Sequence, residues 1–223
     1  MRSRTVAGLI LLGILAAAAI IIYQVMSRVQ SPSQYIPPPP EVGAVIDSYQ
    51  DVMVYNNGPE FATSYGRHFS DSGYYFGQKW QCVEFIKRFY YQSKGHEMPD
   101  VMGHAKDFFD PNLASGNLNL RRGLIQYTNG SNEAPQAGDL LVWNRGTYGH
   151  VAIISQVTHN DVEIVQQNIA GFPRDHLPLQ HLFNNWIIGG QIQPAGWLRL
   201  PLVPIDRTRL APPDPLTPQP GDP

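Results

Sequence analysis

The sequence predicts an α+β domain in which a helix bearing a lone cysteine packs on an antiparallel sheet. Three observations carry this. Residues 77–91, GQKWQCVEFIKRFYY, set Cys82, Phe85, Ile86 and Phe89 at i, i+3, i+4 and i+7, one apolar helical stripe. Residues 137–168 hold a short apolar run, DLLVW, and then two β-branched runs, HVAIISQV and VEIVQQN. The two are split by THND, so they read as a strand followed by a hairpin. Roughly 160 residues between two proline-rich stretches make one domain with one core.

The N-terminus comes first in chain order. Arg2 and Arg4 precede a stretch without charge from Thr5 to Ser27, 23 residues. As a helix it would cover about 34 Å, enough for a hydrocarbon core. A cleaved signal peptide is the alternative. Its small-residue site, Ala16 to Ala19, would leave IIIYQV as a greasy new terminus, so residues 1–28 are expected to be an uncleaved signal anchor. Two arginines ahead of the span, against Arg28 behind it, favour a cytoplasmic N-terminus. The expectation is a single-pass protein of the cytoplasmic membrane with its domain exported, periplasmic or extracellular.

Residues 29–44 include SPSQYIPPPP, an extended spacer of the polyproline type. Residues 45–200 are the predicted domain. Residues 201–223 hold 8 of the chain's 20 prolines and read as a tail without regular structure. The formal charge is −2 with no basic stripe, which argues against nucleic acid as a partner. A metal site is poorly supported as well. His176 and His181 are five apart in a proline-containing segment, and there is no second cysteine.

Glu84 and Arg88 lie four apart on a second face of the predicted helix, in the favourable order. Gly77 before it and SKGHEMP after it bound the segment. Cys82 therefore sits in the first turn, where unpaired N–H groups and the helix dipole favour a thiolate, as a nucleophile requires. Free cysteine is also among the most buried residue types, and core packing is the competing reading. Tyr74, Tyr75, Phe76 and Trp80 near it suit either a substrate groove or the core.

His150 opens the first hairpin strand directly after Gly149, placed by backbone yet with room around it. Along the second strand Ile164, Gln166 and Asn168 share one face, and Glu163, Val165 and Gln167 the other. A loop of odd length, such as 158–160, would put His150 opposite Asn168 and diagonal to Gln166. A two- or four-residue loop would bring up Gln167 instead. Either amide of the first pair could hold the imidazole in one tautomer.

These motifs, KWQCVEF, GDLLVW, GHVAIIS and VEIVQQN in that order and spacing, resemble the CHAP domain (cysteine, histidine-dependent amidohydrolase/peptidase) of the papain-like NlpC/P60 group. Within it they are most similar to the glutathionylspermidine-type amidases, over roughly residues 60–200, through the closing GWLRL. The resemblance implies a papain-like fold, Cys82 as nucleophile, His150 as general base and Gln166 as the third residue. It implies neither metal nor cofactor. Two positions depart from the pattern. Gln166 stands where the spermidine-type amidases commonly carry glutamate, so it can orient the imidazole but cannot stabilise it as a cation. Lys87 stands in place of the first of two arginines, and lysine cannot make a bidentate fork.

The implied reaction is acyl transfer: Cys82 attacks an amide carbonyl, His150 returns the proton to the leaving amine, and water frees the acyl-enzyme. The Cys82 N–H would be one oxyanion donor, with Gln78 or Gln81 as the second. For an exported, anchored domain the nearest abundant amide is peptidoglycan peptide. Motif likeness points instead to a peptide–polyamine amide. A third reading, a catalytically weakened module binding cell wall or protein, draws on Gln166.

Overall fold

The computed structural model describes residues 16–24 and 39–202. Residues 16–24 are helical (α1); the rest of the expected anchor, spacer residues 29–38 and tail residues 203–223 lie outside the described residues. No helix among the described residues is long and apolar enough to cross a membrane. The chain divides into two compact units, residues 1–39 and 40–223.

The second unit begins with two hairpins, β1 (Val45–Tyr49) with β2 (Val52–Tyr55) and β3 (Arg67–Phe69) with β4 (Tyr75–Gln78). Helix α2 (Cys82–Lys94) follows and stops at Gly95, which takes the left-handed conformation at φ 60°. There its N–H caps the Tyr91 carbonyl, a conformation glycine adopts without steric cost. A 3₁₀ turn (Ala105–Phe108) leads into β5 (Asn117–Asn119), β6 (Leu124–Thr128), β7 (Leu140–Trp143), β8 (His150–Val157), β9 (Asp161–Val165), β10 (Arg174–Leu182), β11 (Asn185–Ile188) and β12 (Gly196–Arg199). These eight strands form one antiparallel sheet in the order β11-β10-β9-β8-β7-β12-β6-β5.

The predicted helix, the DLLVW strand and the hairpin are all present. Strand alternation divides their side chains between two clusters. Leu140, Val142, Val151, Ile153 and Leu198 join Phe85, Ile86, Phe89 and Tyr90 of α2 in one core. Leu141, Ala152, Ile154, Ile164 and Trp197 turn to the other side, where they meet Leu177 and Ile188. Phe85, Ile86, Phe89 and Tyr90 are fully buried, each contributing about 2 kcal/mol. This packing holds α2 against the middle of the sheet.

Residues 106–134 contribute β5 and β6 at one edge of the sheet. Short strands with buried amides such as Asn119 and Gln126 carry no clear apolar period, so the local pattern hides them. His176 and His181 lie on β10, and no group of residues suited to a metal occurs among the described residues.

Gly196 marks the tightest point of the sheet, paired with Val142 on one side and Thr128 on the other. A Cβ there would run into the Tyr127 carbonyl and sit 2.8 Å from the Phe109 ring. Gly196→Ala is therefore expected to cost about 2 kcal/mol through overpacking, read as a lower urea midpoint at unchanged slope.

Candidate active site

The first helical residue of α2 is Cys82, and Gln81 before it is the N-cap, extended at φ −75° and ψ 158°. The cap makes no side-chain bond to the helix. Its carboxamide bonds outward instead, Nε2 donating to the carbonyls of Phe61 (3.1 Å) and Thr63 (2.8 Å). Cys82 is 8% exposed and lies at the floor of a cleft of about 570 Å³ that it shares with His150. Backbone N–H groups of Val151, Val83 and Cys82 itself face the sulfur.

His150 opens β8 opposite Trp143, and the two rings lie 5.6 Å apart. Its Nε2 meets the Gln166 Oε1 at 2.9 Å. Gln166 Nε2 donates to the Phe172 carbonyl (3.1 Å), so the atom facing the imidazole is the amide oxygen. Histidine must then donate from Nε2, which leaves Nδ1 as the basic nitrogen. Gln166 itself is buried, just past the end of β9.

How Gln166 reaches His150 departs from both sequence-based alternatives. Val157 pairs with Val162, which is the register of an even loop and by itself would have brought up the face of Gln167. A bulge at Ser155 then shifts the pairing by one residue, so that Ile154 faces Ile164 and Ile153 faces Val165. The extra residue restores the face carrying Gln166. Asn168 is withdrawn from the pairing by its left-handed backbone at φ 68°. Its amide bonds to Gln81 Oε1 (2.6 Å) and to the Phe61 carbonyl (2.8 Å), and its oxygen accepts from Asn57 (2.6 Å).

Gln167, which sequence reasoning did not select, is fully buried between the two. Its Nε2 donates to the Gln81 carbonyl (3.0 Å) and to Glu84 Oε2 (2.7 Å), and its oxygen accepts from the Tyr55 N–H (2.8 Å). The expected Glu84–Arg88 pair is present at 2.6 Å, but both members are buried rather than on a solvent face. His68 Nδ1 joins Glu84 at 2.8 Å. Burial alone would raise the Glu84 carboxyl; the bonds from His68, Arg88 and Gln167 outweigh it and hold it below the usual range. The run of three carboxamides, 166–168, was the visible signal for this network.

Electrostatics differ from the expectation of a lowered thiol pKa. Burial pushes the Cys82 thiol up to about 11, more than the N–H groups at the helix start pull it down. Burial also lowers His150 to about 4, the Gln166 bond opposing it only in part. The resting pair is thus a neutral thiol beside a neutral imidazole. Lys87 also lines the cleft, its Nζ bonded to the carbonyls of Tyr75 (2.9 Å) and Val101 (2.7 Å). Burial, and then the charge of Arg122, lower it to about 7.

Of the four aromatic residues near Cys82, Tyr75 lines the cleft, and Phe76 is in the core. Tyr74 binds the Met98 N–H, and Trp80 packs on Tyr55. Of the two glutamines, Gln81 has both amide hydrogens engaged, as described. Gln78 accepts from Ser64 Oγ (2.6 Å) through its oxygen and lines the cleft, which leaves its NH₂ for a ligand.

Glu84→Ala would leave Arg88 buried without its partner. A loss of about 3 kcal/mol is expected, with a conservative Glu84→Gln recovering part of it, measured by chemical denaturation.

The geometry, a helix-terminal cysteine and an amide-oriented histidine at the mouth of an antiparallel strand, can be set beside known proteins. The family model for the CHAP domain matches residues 73–168, which include Cys82, His150 and Gln166. The bifunctional glutathionylspermidine synthetase/amidase of Escherichia coli (strain K12) is 41% identical over 104 residues, covering 44% of this chain and 17% of that protein. Trypanothione synthetase of Crithidia fasciculata is 28% identical over 162 residues, covering 64% of this chain and 25% of that protein. Glutathionylspermidine synthase of the same organism is 32% identical over 100 residues, 41% of this chain and 14% of that protein. The chain thus spans a quarter or less of the length of these relatives. The match to the CHAP domain thus covers the segment that carries the cleft's cysteine, histidine and glutamine.

Proposed function

We propose that this protein is a cysteine-dependent amidohydrolase that cleaves a peptide amide through an acyl-enzyme on Cys82. The observation that carries this is the 2.9 Å bond from His150 to Gln166 in the cleft whose floor is Cys82. The bond leaves Nδ1 as the base. The amide carbonyl carbon enters above the sulfur, and the thiol proton passes to His150 as the C–S bond forms. The oxyanion meets the Cys82 N–H and the free NH₂ of Gln78. The imidazolium then protonates the leaving amine. Water, deprotonated by His150, attacks the thioester and returns the free thiol. Because Gln166 carries no charge, the imidazolium exists only within these steps and is not stored at rest.

The substrate we propose is peptidoglycan peptide, reached from the cytoplasmic membrane by a domain exported behind the N-terminal span 5–27. No carboxylate is among the described residues that line the cleft, so a polyamine's ammonium groups meet no opposite charge there, while the carboxylates of a peptide meet no like charge. The names of the relatives favour a second reading, a glutathione–polyamine amide. Purified sacculi and glutathionylspermidine, offered separately to the full chain in detergent, decide between them through new amine groups. Peptidoglycan cleavage that vanishes in Cys82→Ala is the expected result; amine release from glutathionylspermidine alone would replace it with the second reading.

The thiol pKa can be followed directly, because Cys82 is the chain's one cysteine. Alkylation by iodoacetamide should keep rising with pH toward about 11 rather than level off near neutrality. In Gln166→Glu a carboxylate stabilises the imidazolium and, through it, the thiolate. The inflection should then fall by about 1–3 units, the range of a close opposite charge. An unmoved inflection would detach Gln166 from the nucleophile.

A further inference from the structure

One wall of the cleft is built from a segment that is mostly neither helix nor strand. Val101, Met102, Gly103, His104 and Ala105 line the cavity, with Met102 63% exposed at its rim. Such a segment lacks the hydrogen-bond ladder that would fix a strand, so its carbonyls must find other donors. Arg122 supplies them from the turn between β5 and β6. Its Nη1 donates to the Asp100 carbonyl (2.6 Å), and its Nη2 to those of Met102 (3.2 Å) and Asp107 (3.1 Å). The guanidinium is fully buried and lies 3.8 Å over the Phe108 ring. Lys87 takes the Val101 carbonyl.

The clamp is itself braced. The Arg122 N–H donates to Asn119 Oδ1 (3.2 Å), and His96 Nε2 meets the Arg122 carbonyl at 2.8 Å. Gly103, at φ +103°, is where a Cβ would come within 3.4 Å of Arg122 Nη2 and 3.1 Å of Asp107, so glycine lets the guanidinium approach. Arg121 beside it is exposed and pairs with Asp100 at 2.8 Å. Of the two adjacent arginines, one is a surface ion pair and the other is built into the cleft.

We infer that Arg122 is a positioning residue for substrate, holding residues 100–107 as a preformed wall against which a peptide is aligned over Cys82. This rests on the amidase reading above. A charged group buried on three carbonyls is poorly replaced by water, so its loss frees the wall without touching the thiol or the imidazole. Lys87 ties that wall to the helix that carries the nucleophile, five residues beyond it, and so helps set its distance from Cys82.

The test compares wild type with Arg122→Lys, Arg122→Met and Arg121→Met, all as full chains in detergent. Each is alkylated at Cys82 with iodoacetamide and with a neutral peptidyl chloromethyl ketone. Iodoacetamide needs only the thiol, and its rate should stay within about twofold of wild type in every variant that folds. The peptidyl reagent needs alignment. Its second-order rate in Arg122→Met should fall about tenfold or more through weaker binding, with the limiting rate little changed. Arg122→Lys should recover part of the loss, and Arg121→Met should resemble wild type. Equal slowing of both reagents, or no change in either variant of Arg122, would overturn the inference. If Arg122→Met does not fold, Arg122→Lys carries the comparison alone. A wild-type protein that takes iodoacetamide but ignores the peptidyl reagent would instead sink the amidase reading itself.

Discussion

The seating of the α2 N-terminus and of His150 on three consecutive carboxamides is the constraint from which the site follows. Gln166 turns to His150, Gln167 to the Gln81 carbonyl and Glu84, and Asn168 to the Gln81 side chain. Cys82 and His150 come from elements far apart in sequence. A few residues just past the end of β9 thus hold both the residue before Cys82 and the ring of His150. Carboxamides suit this task because each offers donor and acceptor in one rigid plane and can satisfy two buried partners at once. A half-satisfied network in this low-dielectric setting would be worse than an apolar one. The buried Glu84 carboxylate, with three donors around it, supplies the charge that anchors the cluster.

The same burial that gives precision to the site governs its proton. The burial of Cys82 and the partial burial of His150 shift both groups toward neutrality, in opposite directions. A carboxylate in place of Gln166 would favour the charged pair; the amide orients without charging. In the proposed reaction the proton therefore moves during attack, and no thiolate is held beforehand. Such a thiol is less exposed to adventitious alkylation or oxidation.

Cations take a structural part in the cleft. Arg122 behind its wall and Lys87 in its lining bind four backbone carbonyls of residues 100–107. A strand would have satisfied those groups through a neighbour, but it would also have presented a pleated surface in place of Met102 and His104 at the rim. Irregular backbone gives the cleft its shape, and buried donors make it affordable in a packed domain.

What the sequence determined by itself was local and periodic. The stripe of Cys82, Phe85, Ile86 and Phe89 defined α2, and DLLVW, HVAIISQV and VEIVQQN defined the strands that cover it. Cys82 and His150 were visible as unusual residues at the start of such elements, whereas Gln166 was singled out from Asn168 only by the resemblance to the CHAP domain. The tertiary structure alone decided the rest. The Ser155 bulge shifts register by one residue, and no local pattern distinguishes a bulged strand from a straight one. The pair Glu84–Arg88 reads as a surface contact until β3 and Gln167 close over it. Arg122 reads as a turn charge until residues 100–107 fold over it, some twenty residues away along the chain. Burial is a property of what packs above a residue, and that is set by non-local contacts. For the same reason the helix position of Cys82 predicted a lowered pKa, whereas desolvation in the assembled domain raises it.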